Sequence, residues 1–106
     1  MLGKNINKIM LDKGIKMGEE FFFHYSEALD ILGQLNICEY AVVGVELFEK
    51  VAQSPKWIAS SSYEPKKDCL WQEYKTACND SAKEFIVSNN APDNLFNFTY
   101  ITKQEF

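Results

Sequence analysis

"YAVVGVELFE", residues 40–49, decides the fold. β-branched and aromatic residues dominate it, and such residues fit a pleated, half-buried surface better than a helix. Strict alternation gives one wholly apolar face, Ala41, Val43, Val45 and Leu47. The other face carries Tyr40, Val42, Gly44, Glu46 and Phe48. That mixture predicts a sheet covered on one side and only partly covered on the other. "WIASSSY", 57–63, reads as a second strand, antiparallel to the first, with its serines on a wet surface. Ser54-Pro55 marks a turn or loop between the two, and Pro65 ends the second. "LFNFTYI", 95–101, is a further strand with Phe96, Phe98 and Tyr100 on one side.

Helices surround these strands. "KNINKIMLDK", 4–13, places Ile6, Ile9, Met10 and Lys13 at helical spacing, with Gly14 as a stop. "EEFFFHY", 19–25, is an edge strand or an ordered loop. Ser26 is a plausible N-cap for "SEALDILGQLN". There Ala28, Ile31, Leu32 and Leu35 form an apolar stripe, and Asn36 is a C-cap. Asp68 can cap a long helix within "CLWQEYKTACNDSAKEFIVSNN", 69–90. Its expected buried stripe is Leu70, Tyr74, Ala77, Cys78, Ser81, Ala82, Phe85 and Ile86. The expected class is α+β: a small, mostly antiparallel sheet of three to four strands on two main helices, plus a short N-terminal helix.

Length and composition set the outer limits. With 106 residues the chain predicts a single domain, 1–106, with one modest core. Its 46% hydrophobic and 25% charged content is that of a globular protein, not a disordered one. The formal net charge is -4, and all 11 basic residues are lysines. Nucleic acid is therefore not an expected partner, since phosphate binding needs a basic face. The longest apolar run, YAVVGV, is too short to span a bilayer, so no membrane role is expected. The first twenty residues mix charges and lack an apolar core, which argues against a secretory signal. Three unpatterned cysteines, Cys38, Cys69 and Cys78, suit a reducing cytoplasm, with Cys38 and Cys78 as small core residues.

Reaction machinery is hard to find. His24 is the only histidine, and Cys69 and Cys78 turn to opposite sides of one helix, so a zinc site is not expected. The serines at 60–62 lack a nucleophile elbow, and the scattered glycines form no phosphate loop. No cofactor is expected, and the chain does not read as an enzyme. One enzymatic alternative remains: a small hydrolase or transferase using Glu46, Glu64 and His24, because paired acids can run acid–base chemistry. Against it stands a pair of solvated carboxylates on a half-exposed sheet.

Charge is distributed unevenly. Residues 1–16 carry four lysines and one acid. From Met17 to Glu49 stand Glu19, Glu20, Glu27, Asp30, Glu39, Glu46 and Glu49, without one lysine. Glu27 and Asp30 share a helix face, and neither has a lysine at the spacing that pairs it. Two uses are open for this block: a solvated face, or an acidic patch that captures a cationic protein. Tyr40, Phe48 and Tyr63 are candidate anchors for such a partner, with the core as the competing location.

Several stretches resemble a family of small bacterial immunity proteins that neutralise polymorphic or contact-dependent inhibition toxins. "LDKGI" at 11–15 matches its helix ending in Lys-Gly-Ile. "EALDILGQLNI" at 27–37 matches its A-L-x-x-L-x-x-L-N-I helix. "GVELF" at 44–48 stands where the family has G-G-D-V-Y, with Glu46 in the acid position and Phe48 in the aromatic one. "SYEP" at 62–65 is similar to T-Y-D-N-W through Tyr63 and Glu64. Tyr74, Ala82, Phe85 and Ile86 match its last helix. The resemblance implies a cytoplasmic inhibitor that binds and occludes the C-terminal domain of a cognate toxin, a nuclease by the family's usual pattern. The partner-binding surface it implies, with the charge pattern, comprises Glu27, Asp30, Tyr40, Glu46, Phe48, Glu49, Tyr63 and Glu64.

Overall fold

The computed structural model describes residues 6–51, 54–62 and 69–106. The order is α1 (Ile6–Lys13), β1 (Ile15–Met17), β2 (Glu20–Phe22), α2 (Tyr25–Ile37), β3 (Ala41–Val51), β4 (Ser54–Ser62), α3 (Trp71–Val87) and β5 (Asn94–Ile101). A 3-10 turn, Lys103–Glu105, follows. The class is α+β, with a two-stranded antiparallel sheet, β1-β2, and a three-stranded one in the order β4-β3-β5. Among the described residues, no helix is long and apolar enough to cross a membrane.

β3 is the central strand because it alone can be apolar on one side and half-covered on the other. Val45 stands opposite Phe98, and Leu47 stands between Ala59 and Phe96. Strict alternation fails at the start of β3, and the irregularity at its other end lies in β4. A register shift between Val42 and Gly44 leaves Val43 unpaired with β5, and a second sets Phe48 opposite Trp57 rather than Ile58. An extra residue in one strand flips the phase beyond it. Val42, expected on the outer face, is therefore buried in the main core with Val45 and Leu47. Ala41 packs in a second cluster with Trp71, Tyr74 and Cys78, with Val43 and Phe106 against it. Ser54 and Pro55 are not a turn: they open β4, with Pro55 opposite Lys50 on an edge strand, where a missing N–H is tolerated.

α2 buries the predicted stripe, Ala28, Ile31, Leu32 and Leu35. Each fully buried aliphatic side chain contributes about 2 kcal/mol of transfer free energy. Its ends differ from expectation. Ser26 is not the cap; His24 is, with extended backbone and no side-chain cap bond. The start is set by tertiary pairing, because Phe23 exchanges both backbone bonds with Phe96, at 2.9 and 2.8 Å, and the chain turns into the helix straight after. At the other end the cap is Cys38, not Asn36. Cys38 is accordingly only partly buried, whereas Cys78 is buried.

The short hairpin β1-β2 was not legible as a pair. Met17 faces Glu20 across Gly18-Glu19, and Gly18 has φ 63°. A positive φ at the first of two turn residues belongs to the primed hairpin turns, where glycine avoids the Cβ clash. Gly14 does stop α1, but for another reason than a left-handed backbone. A Cβ there would lie 2.6 Å from the Phe23 ring and 2.8 Å from the Met10 carbonyl oxygen.

α3 is shorter than expected, and its buried face is shifted. Leu70 is the exposed N-cap, and Trp71 is buried in its stead. The face continues through Tyr74, Lys75, Cys78, Asn79, Ala82 and Ile86. The proposed cap Asp68 and the strand stop Pro65 lie outside the described residues. Lys75 and Asn79 are polar and buried, and both serve the junction with the end of α2. Glu39, just past α2, has φ 65°. Its N–H bonds to Asn36 O at 3.2 Å, and Tyr40 N–H to Leu35 O at 2.9 Å. That is a Schellman closure with glutamate in the place glycine usually takes, at a cost of about 1 kcal/mol. Its carboxylate offsets the strain by accepting from Lys75 Nζ (2.8 Å), Gln72 Nε2 (2.8 Å) and Trp71 Nε1 (3.3 Å).

The Lys75 and Gln72 hydrogen bonds hold the Glu39 carboxyl below its ordinary 4.5. A depressed carboxyl stabilises the fold above its unfolded value and loses that contribution as pH falls through the lower folded value. Glu39→Gln is expected to cost about 1–2 kcal/mol at neutral pH, since charge-assisted bonds are exchanged for neutral ones. The cost should shrink toward zero as pH drops below about 4.5. Urea titrations of both proteins between neutral and acid pH test this; a pH-independent difference would mean that the carboxylate charge is not what stabilises the junction.

Candidate partner-binding site

The acidic block divides once it folds. Asp30 is paired with Lys13 of α1 at 2.8 Å, so the lysine that helix spacing could not supply comes from another helix. The Asp30 hydrogen bond pushes the Lys13 pKa up. Glu39 is held by Lys75, as described. Glu27, half-buried in the first turn of α2, lies near enough to Lys13 to add to that upward push. Glu49 is exposed, with Lys56 and Asn94 as its cross-strand neighbours.

Glu19, Glu20 and Glu46 behave differently. They converge on a cleft of about 310 Å³ between α1, the β1-β2 hairpin and β5. Asn7, Met10, Phe21, Phe23, Asn97, Phe98, Thr99 and Tyr100 complete its walls, with no basic side chain among them. Glu46 reaches it from the middle of the outer sheet face, where its register neighbours are Ser60 and Asn97. Glu19 and Glu20 are exposed on the hairpin, which the Gly18 turn and the Phe23–Phe96 pairing position. Asn97 Nδ2 donates to Phe21 O at 3.0 Å and ties the hairpin to β5. None of the three carboxylates has a hydrogen bond or ion pair among the described residues. Among those residues, no three His, Cys, Asp or Glu side chains are grouped closely enough to hold a metal ion. The acids are thus spread along a surface.

Rings line this region, but not as free anchors. Tyr40 meets Tyr100 edge-on, with centroids 5.0 Å apart, and both pack against the core. Burial, with the nearby Tyr40, raises the Tyr100 pKa. Phe48 meets Phe22 edge-on at 5.0 Å. The competing core-side location thus describes Tyr40, whereas Phe48 is half-buried against Phe22 outside both core clusters. Trp57, opposite Phe48, is the large exposed aromatic among the described residues, at 54% of its surface. Tyr63 and Glu64 lie outside the described residues.

The structure therefore gathers one predicted site residue, Glu46, with two acids that the sequence placed only in a general block. Glu27 and Asp30 do not line this cleft, and neither does His24. Glu19 and Glu20 could have been singled out by the Gly18 beside them, had the hairpin turn been recognised. Asn97 and Tyr100 carry no local signal, because their role depends on pairing across the chain. Compared with protein-family models, curated proteins and solved structures, the chain matches none.

Proposed function

We propose that the chain is an immunity-type inhibitor: a cytoplasmic protein that binds the C-terminal domain of a cognate toxin, a nuclease by the usual pattern, and occludes it without catalysis or cofactor. The observation that carries this reading is the segregation of charge. Asp30 and Glu39 are neutralised internally, whereas Glu19, Glu20 and Glu46 have no partner among the described residues and face one cleft. A site holding only acids among polar and aromatic walls favours a cationic partner, drawn in by its field. The motif resemblance supplies the class of partner. Co-expression with the C-terminal domain of a toxin encoded immediately upstream tests it: growth should be restored and the two proteins should co-purify. Continued growth arrest, or no binding, overturns the reading.

Charge should govern encounter, and apolar contact the lifetime of the complex. Screening limits exposed acids to about 8 Å at physiological salt, so they act mainly on approach. Against the cognate domain, Glu20→Lys with Glu46→Lys is expected to slow association about tenfold or more. Glu27→Lys with Asp30→Lys should do less, because Lys13 already offsets Asp30. Trp57→Ala should act chiefly on dissociation, since tryptophan is enriched among the residues that anchor interfaces. Stopped-flow binding across a salt series reads these separately. A salt-insensitive association rate would make the acids a solvated face only.

A further inference from the structure

A groove of about 400 Å³ lies between α2 and α3 and shares no lining residue with the acidic cleft. Its size is that of a small-molecule site. Leu32, buried, and Leu29, half-buried, give it an apolar lining. Asn36, Thr76 and Asn79 also line it, and the bond from Asn79 Nδ2 to Asn36 Oδ1 fixes that wall. Gly33 keeps the groove open. It stands inside α2, where glycine costs stability relative to alanine. Neither packing nor backbone requires it: a Cβ there would meet nothing within 4 Å, and its φ is not positive. A larger side chain at this lining position would take up groove volume. Two opposite charges border the same space. Asp80 and Lys83 line the groove at a spacing that lets an acid and a lysine pair on one helix. They do not pair, and neither has an ion pair or hydrogen bond among the described residues.

We propose that this groove binds a free apolar α-amino acid of the size of leucine. The inference goes beyond the inhibitor reading and does not depend on it. A carboxylate and an ammonium group on one helix face match a ligand that carries both opposite charges on a single carbon. Its ammonium group meets Asp80, its carboxylate accepts from Lys83 Nζ, and its side chain lies against Leu29 and Leu32 in the space that Gly33 leaves. Asp80 and Lys83 are exposed, so either charge contact alone is screened and weak. The two together, with the apolar contact, select the ligand. A longer peptide carries its charges at separate ends and satisfies only one of the pair.

The probe is L-leucine, followed through the amide chemical shifts of the full chain. N-acetyl-L-leucine lacks the ammonium charge, and L-leucinamide lacks the carboxylate. L-Leucine should give saturable shifts at Gly33, Thr76, Asp80 and Lys83, and each control should bind about tenfold more weakly or worse. Lys83→Gln should remove the preference over L-leucinamide, and Asp80→Asn the preference over N-acetyl-L-leucine. Gly33→Leu should abolish binding while raising Tm by about 4 °C, because it fills the groove and improves helix propensity. Should leucine at 33 disturb α2, the two charge variants decide. A raised Tm with binding unchanged would place the ligand elsewhere and overturn the assignment. Equal binding of all three probes would leave an apolar groove without charge recognition and overturn it too. So would the absence of any saturable shift, including the case in which the groove amides respond only to the toxin domain of the co-expression assay.

Discussion

Asn79→Ala is expected to lower the unfolding free energy by about 3 kcal/mol, and Tm by about 12 °C for a domain of this size. Asn79 is 6% exposed and makes three bonds at once. Its Oδ1 accepts from the Val42 backbone N–H at 2.7 Å. Its Nδ2 donates to Asn36 Oδ1 at 2.8 Å and to Tyr40 O at 3.1 Å. Val42 begins the irregular stretch where β3 and β5 change register, so a side chain holds its N–H there. Alanine would leave that donor and the Tyr40 carbonyl without their Asn79 partner, and an unmet buried group costs about 1–3 kcal/mol. No buried side-chain polar atom lacks a partner among the described residues, so the loss is not already present in the native state. Thr76→Ala, on the exposed side of the same helix, should stay within about 0.5 kcal/mol. Thermal and urea unfolding of both variants decide the matter. Equal losses would mean that helix propensity, not the bonding of β3 to α3, controls stability.

Phe23→Ala is expected to cost about 4 kcal/mol, the range for emptying a buried aromatic site. The ring is 1% exposed and sits 5.8 Å, centroid to centroid, from Phe98. Gly14 at the end of α1 lies directly against it, as the short distance from a built Cβ to the ring requires. The ring therefore holds the end of α1 and the face of β5 together, and it also lines the acidic cleft. Two backbone bonds to Phe96 would survive the truncation, so the sheet keeps its register while the cavity remains. Against a typical domain stability of about 5–15 kcal/mol, such a loss is large. Phe23→Leu keeps most of the volume and should cost about half as much. The urea midpoint should fall for both at unchanged slope. A small effect for alanine would mean that α1 and the hairpin already move away from β5 in the native state.

The same residues explain why the site was only partly legible. Glu46 was singled out because it interrupts an apolar strand, a signal contained in ten consecutive residues. Glu19 and Glu20 look locally like any charged pair. They matter because Gly18 turns the hairpin and Phe23 pairs with Phe96, a contact more than seventy residues away in the chain. Asp30 looked unpaired because pairing rules along a helix cannot see a lysine on another helix. Lys75 and Asn79 fall outside the expected stripe of α3 because hydrophobic periodicity does not count polar residues as buried. Their partners are backbone and side-chain groups at the end of α2 and the start of β3, which no window of α3 contains.

The sequence alone determined the class and order of the main elements: the apolar stripe of α2, the three strands of the central sheet, and their α+β combination. Those features follow from local periodicity, which burial on one side imposes directly on neighbouring residues. Tertiary structure decided the rest: the caps of α2, the register shifts of β3, the shifted face of α3, the neutralised acids, and the convergence of Glu19, Glu20 and Glu46 on one cleft between α1, the hairpin and β5. Each depends on which distant group occupies the other half of a hydrogen bond, ion pair or ring contact, and that is fixed only when the chain closes on itself.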